Sequence, residues 1–244
     1  MRKRLIVANW KMYIETPDTA KRFITALKRK LARMSGVEVW IAPPFTILPT
    51  LPKGSYKLGG QAVSAKEGAH TGQVSAGMLR AAGASFCIVG HSEQRAQGAD
   101  AEAVRAQFAS VLKQGMVGIL CVGEEARKED GSHFAQIEEE IRSACTGMQA
   151  FANKIIVAYE PIWAIGALQA MQPQELEETV IFIKKTLSQA LGREGGLKIP
   201  ILYGGSVEGG NAHALLASGV SGFLVGRASA DINSFGEILT TCKK

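Results

Sequence analysis

The stretch "IIVAYEP", residues 155–161, decides the fold. Ile155, Ile156, Val157 and Ala158 offer no polar face. A strand that is apolar on both faces is buried on both sides, as in a parallel sheet covered by helices. The run ends on Glu160, and Pro161 restricts the backbone after it. A charge-free loop containing Trp163, Ile165 and Gly166 follows. A solvated loop acid needs no such neighbours. A catalytic base that must be held stiffly, and at times kept dry, does.

Outward from this stretch, the same unit recurs. Strands are predicted at 5–9, 37–42, 57–61, 86–90, 118–122, 155–159, 200–203 and 222–225, with helical patterns between them. Thr16-Pro17 is a cap and first-turn pair. Val104, Phe108 and Leu112 recur every four residues before Gly115. Pro173 opens a helix carrying Leu176, Val180, Ile183, Leu187 and Leu191, which Gly192 ends. Strands alternating with helices predict an α/β protein with a parallel sheet. Eight units of about 30 residues fill the chain, as in a (β/α)8 barrel of ~250 residues. A doubly wound open sheet competes, but the first strand lacks a G-x-G-x-x-G turn. No linker or low-complexity segment divides the chain, so residues 1–244 are read as one barrel domain.

Composition narrows the function classes. Apolar residues make up 46% of the 244, which argues against global disorder. No apolar stretch is long enough to cross a bilayer. The opening "MRKRLIVANWKMY" is basic, but its apolar run is too short for a signal peptide. A soluble, cytoplasmic protein with no membrane partner is expected. Cys87, Cys121, Cys145 and Cys242 are scattered, without a CxxC or Cys/His cluster, so no metal site is expected. The net charge is +6, much of it in "KRFITALKRKLARM" (21–34). Phe23, Ile24, Leu27 and Leu31 form one helical face there and the cations lie largely off it, which reads as a solvated helix face rather than a nucleic-acid surface.

Barrel active sites lie at the C-terminal ends of the strands. There the sequence places Asn9-Trp10-Lys11, Gly90-His91-Ser92-Glu93, Glu160, Gly204-Gly205-Ser206 and Gly226-Arg227. The other strand exits read as plain. Each residue alone has an ordinary explanation, such as a surface lysine or a satisfied half-buried histidine. Under the barrel model they face one opening. Small-residue loops after strands 7 and 8 suit a phosphate ester. Lys11 supplies a charge for an anion or developing oxyanion. Glu160 is a base, His91 a donor, and no cofactor motif accompanies them. That set suggests proton abstraction beside a carbonyl.

"NWKM" (9–12), "VGHSEQR" (89–95), "AYEPIWAIG" (158–166), "YGGSV" (203–207) and "LVGRAS" (224–229), in this order, resemble the triosephosphate isomerase family from Leu5 to about Phe235. The resemblance implies a TIM barrel that interconverts dihydroxyacetone phosphate and D-glyceraldehyde 3-phosphate in glycolysis and gluconeogenesis, without a cofactor. It implies Glu160 as the base, a neutral His91 that polarises the carbonyl, and Lys11 as the electrostatic stabiliser. Asn9 would position Lys11 and the substrate, and Glu93 would hold Lys11. Gly166, Ser206, Gly226 and Arg227 would offer backbone N–H groups to the phosphate. Residues 161–171 would be a lid, with Pro161 as its first hinge and Ile165 pressing on Glu160. A homodimer through residues 61–75 is implied, with Thr71 near Asn9 and Glu93 of the neighbouring subunit.

The chain departs from the family pattern at Ala167-Leu168-Gln169, where Thr-Gly-Lys is usual, at Gln73 and Gln94, and at Arg227, where glycine is frequent. The rival expectations are another phosphate-binding barrel enzyme, a non-catalytic phosphate-sugar-binding protein on the same scaffold, and a nucleic-acid binder.

Overall fold

A computed structural model describes residues 3–166 and 171–243. Eight parallel strands close into a barrel in the order β1 to β8. They are β1 (Arg4–Asn9), β2 (Val37–Ala42), β3 (Tyr56–Gly60), β4 (Phe86–Val89), β5 (Val117–Val122), β6 (Ile155–Tyr159), β7 (Ile201–Tyr203) and β8 (Gly222–Val225). Closure is made by β1 on β8, with Leu5 opposite Gly222 and Ala8 opposite Val225. The (β/α)8 expectation therefore holds, with each strand within a residue of its predicted bounds. Pro200 does not join β7. It has no N–H to donate, and its carbonyl accepts the Val157 N–H at 3.1 Å.

Alternation along the strands builds two cores. Leu5, Val7, Trp40, Phe86, Ile88, Ile119, Ile156, Ala158, Leu202 and Leu224 fill the barrel. Ile6, Ala8, Val39, Ile41, Val89, Leu120, Val157 and Tyr203 point outward into the larger layer beneath the helices. Both sets are buried, which is why the strands read as continuous apolar runs.

The helices used below are α1 (Pro17–Leu31), α2 (Ala76–Ala81), α3 (Ser92–Ala96), α4 (Ala101–Lys113), α5 (His133–Cys145) and α6 (Pro173–Leu191). The Thr16 hydroxyl accepts the Thr19 N–H at 3.2 Å and caps α1 as expected. On α1, Phe23, Ile24 and Leu27 are buried, while Lys21, Arg22 and Arg29 are exposed. On α6 the predicted stripe Leu176, Val180, Ile183, Leu187 and Leu191 is buried. Among the described residues, no helix is long and apolar enough to cross a membrane.

Candidate active site

The first strand delivers a lysine in an uncommon conformation. Asn9 ends β1, and its Oδ1 accepts the Lys11 N–H at 3.2 Å. Lys11 has φ 46°, the one non-glycine residue with positive φ among those described. Gln61 holds this turn from β3: its Nε2 donates to the carbonyls of Lys11 and Ala42, each at 2.9 Å. Trp10 is buried and donates to the Ser229 carbonyl at 3.1 Å. The Lys11 ammonium then reaches Glu93 Oε1 at 2.6 Å. Burial works to raise the Glu93 carboxyl, but the Lys11 hydrogen bond and charge outweigh it, and its pKa falls below the ordinary value.

The fourth strand delivers a histidine whose proton is placed. His91 caps α3, and its Nδ1 accepts the Glu93 N–H at 3.2 Å. An Nδ1 that accepts a hydrogen bond leaves the ring proton on Nε2. That nitrogen lies 3.3 Å from Glu160 Oε1. The other Glu160 oxygen accepts the Ser92 N–H at 3.2 Å. His91 and Glu160 are 7% and 3% exposed, so the pair is withdrawn from bulk solvent.

Close backbone packing fixes where Glu160 leaves β6. Its N–H donates to the Val122 carbonyl at 2.8 Å, and the Gly204 N–H donates to the Tyr159 carbonyl at 2.7 Å. A Cβ on Gly204 would stand 2.8 Å from Glu160 Cγ, and one on Gly123 only 1.9 Å from the Glu160 carbonyl oxygen. Neither neighbouring strand exit tolerates a side chain there.

The remaining site residues fall around this core. Gly226 adjoins the Lys11 stem, since a Cβ on it would lie 3.6 Å from Lys11 Cε. Arg227 follows at the start of a short 3₁₀ turn and is exposed. The Ser206 hydroxyl donates to the Ala164 carbonyl at 3.1 Å, tying the loop after β7 to the segment after Glu160. Gly166 is exposed at φ 72°. Pro161 is buried and Ile165 half-buried. Ile162, rather than Ile165, lines the small cavity beside Glu160. Ala167, Leu168 and Gln169 lie outside the described residues.

One strand exit that reads as plain in the sequence is not. Glu124, two residues beyond β5, is 1% exposed. Its Oε1 accepts from the Tyr159 hydroxyl at 2.9 Å and from Trp163 Nε1 at 2.8 Å. The Tyr159 hydroxyl is pushed up by burial and then by the Glu124 charge. Arg95 and Glu140 also reach this region from α3 and α5. Gly123-Glu124 at a strand exit was the available signal.

The family model described as triosephosphate isomerase matches residues 4–242. This chain belongs to the triosephosphate isomerase family. A triosephosphate isomerase of Citrifermentans bemidjiense is 38% identical over 253 residues, covering 98% of each chain. That of Endomicrobium trichonymphae is 38% identical over 252 residues, covering 100% of each. That of Thermus thermophilus is 38% identical over 248 residues, covering 98% of each. As a triosephosphate isomerase family member with full-length relatives, the chain is an enzyme with that isomerase activity.

Proposed function

We propose that Glu160, His91 and Lys11 are the groups with which this chain interconverts dihydroxyacetone phosphate and D-glyceraldehyde 3-phosphate. Glu160 takes the proton from the carbon beside the carbonyl and returns it to the former carbonyl carbon. His91 Nε2–H, which faces Glu160 without substrate, donates to the oxygen that gains charge once substrate lies between them, and Lys11 adds a positive field to the enediolate. The observation that carries this reading is the Glu93–His91–Glu160 alignment. The Glu93 N–H occupies Nδ1 at 3.2 Å, which leaves Nε2 as the donor 3.3 Å from the base. Asn9 sets the Lys11 turn. Gly166, Ser206, Gly226 and Arg227 supply backbone N–H groups to the phosphate, a role compatible with an Arg227 side chain in solvent. Residues 161–171, of which 167–170 lie outside the described residues, are the lid that the family resemblance implies, with Pro161 as its first hinge and exclusion of water as its role.

The active form is a homodimer. Residues 61–75 leave the barrel after β3, and Ser64 N–H donates to the Val74 carbonyl at 2.8 Å across the loop's base. The loop tip is exposed, as are Met12 at 81% and Tyr13 at 50%, beside Lys11. Burying that apolar pair under a neighbour's loop explains their exposure in one chain. The chain is one cytoplasmic domain that uses no cofactor, metal or nucleic acid.

The test is isomerase activity on glyceraldehyde 3-phosphate, coupled to a hydride-consuming dehydrogenase, with Glu160→Asp as control. Wild-type turnover that collapses in the variant supports the base. Full activity in Glu160→Asp would overturn it.

A further inference from the structure

We infer that Glu140, acting through Arg95, is a positioning residue for Glu160, keeping the Arg95 guanidinium engaged away from the base so that its carboxylate is free to reach substrate. The inference rests on Glu160 being the base.

The geometry is a brace across two strand exits. Arg95 Nε donates to the Gly90 carbonyl at 2.9 Å, one residue before His91. Its Nη2 donates to the Cys121 carbonyl at 3.3 Å, on the strand beside β6. Glu140 comes from α5: its Oε1 lies 3.6 Å from Arg95 Nε, and its Oε2 accepts the Gly123 N–H at 3.0 Å. The Glu140 and Arg95 side chains are 11% and 19% exposed. Gly123 is the residue that abuts the Glu160 carbonyl. The brace therefore fixes the backbone of the β4 and β5 exits on one side of the base.

Charge order gives the brace its second effect. Arg95, Glu140 and Glu160 line one cavity of about 10 Å³, about the space one water molecule needs. One cation and two carboxylates line it. An opposite charge near a carboxylate stabilises its ionised form and weakens it as a base. With Glu140 ionised, the Arg95 charge is balanced from the α5 side. Without it, Glu160 is the carboxylate left to balance that charge, and it is held at the rear of the site.

The other groups around the cavity do not replace Glu140. His91 faces Glu160 from the β4 exit. The Cys121 thiol faces it from β5, and its pKa is raised well above the ordinary value by burial and then by Glu160, so it carries no charge. Glu140 is faced by Arg95, by Glu160, and by Gln136 on its own helix. Burial raises the Glu140 carboxyl above its ordinary value, the Glu160 charge adds to the rise, and Arg95, the Gly123 N–H and Gln136 offset only part of it.

Glu140→Gln separates charge from shape, because the amide oxygen still accepts the Gly123 N–H. The expected result is a kcat about tenfold lower, with KM changed by less than about twofold, and the acid limb of the kcat–pH profile moved to lower pH. Glu140→Asp should recover kcat to within about threefold of wild type. A wild-type kcat and unmoved acid limb in Glu140→Gln, or a Glu140→Asp no better than Glu140→Gln, would overturn the inference. Should Glu140→Gln fail to fold, Arg95→Lys reads the same brace: a mobile ammonium should lower kcat at constant KM, and an unchanged kcat overturns it. Glu160→Asp runs alongside. If it keeps full activity, the base assignment falls and takes this inference with it. If it collapses while Glu140→Gln is unaffected, only the brace falls.

Discussion

Glu124 and Glu160 are both buried carboxylates at neighbouring strand exits, and they are held in different ways. Glu124 has its Oε1 filled by two donors at 2.8 and 2.9 Å, and its carbonyl takes the Ile162 N–H at 3.0 Å. Glu160 has contacts of 3.2 and 3.3 Å and a cavity beside it. The first ties β5, β6 and the segment after Glu160 into one unit. The second is gripped by its backbone, and its two carboxylate oxygens make the longer contacts, to the Ser92 N–H and to His91 Nε2. Burial alone does not make a base; a buried carboxylate left with long contacts and room to move is the one suited to proton transfer.

Substitutions can break this comparison, and the largest effect belongs to Glu160. Glu160→Gln should lower kcat by about 10³-fold while the far-UV spectrum and melting midpoint stay near wild type. An equal loss of turnover in Glu124→Gln, in the same coupled assay, would erase the distinction. His91→Gln comes next, with a kcat loss of about 10²-fold, as expected for removing one donor to a developing oxyanion. Glu124→Leu should act mainly on stability. It leaves the Tyr159 hydroxyl and the Trp163 N–H without an acceptor, so urea unfolding should show a loss of about 2 kcal/mol. The smallest effect is at Glu93. Its pKa is lowered in the folded chain, so the stabilisation is present above the ordinary glutamate value and is lost as pH falls through the lowered one. Its side chain is 57% exposed, so salt should shrink the effect further. Melting curves of wild type and Lys11→Met between pH 6 and about 3 should converge toward the acid end.

The barrel was legible because its signal is local. Strands such as Ile155–Tyr159 and helix stripes such as Leu176 to Leu191 announce themselves within a few residues. That Lys11, His91 and Glu160 would converge at one end of the barrel was legible because strand exits are themselves marked in the sequence. Arg95 and Glu140 were not. Glu138-Glu139-Glu140 on α5 reads as a solvated acidic run, yet Glu140 sits between Ile137 and Ile141, at the margin of the buried face. What turns it inward is a glycine N–H 17 positions away and an arginine 45 positions away. Neither partner leaves a mark near residue 140. Glu124 was missed for the same reason, because its donors Tyr159 and Trp163 lie 35 and 39 positions distant.

The turn at Lys11 bears on how this chain could be engineered. A non-glycine residue at φ 46° costs of order 1–2 kcal/mol of backbone strain. A design method that scores folding alone would place glycine or asparagine at position 11, and thermostability screens would reward that choice. The same substitution removes the ammonium that meets Glu93 at 2.6 Å and faces the proposed enediolate. Selection for robustness and selection for turnover thus pull this one position in opposite directions. A library for thermal hardening should hold residue 11 fixed and seek its gains elsewhere, for example on the exposed face of α1.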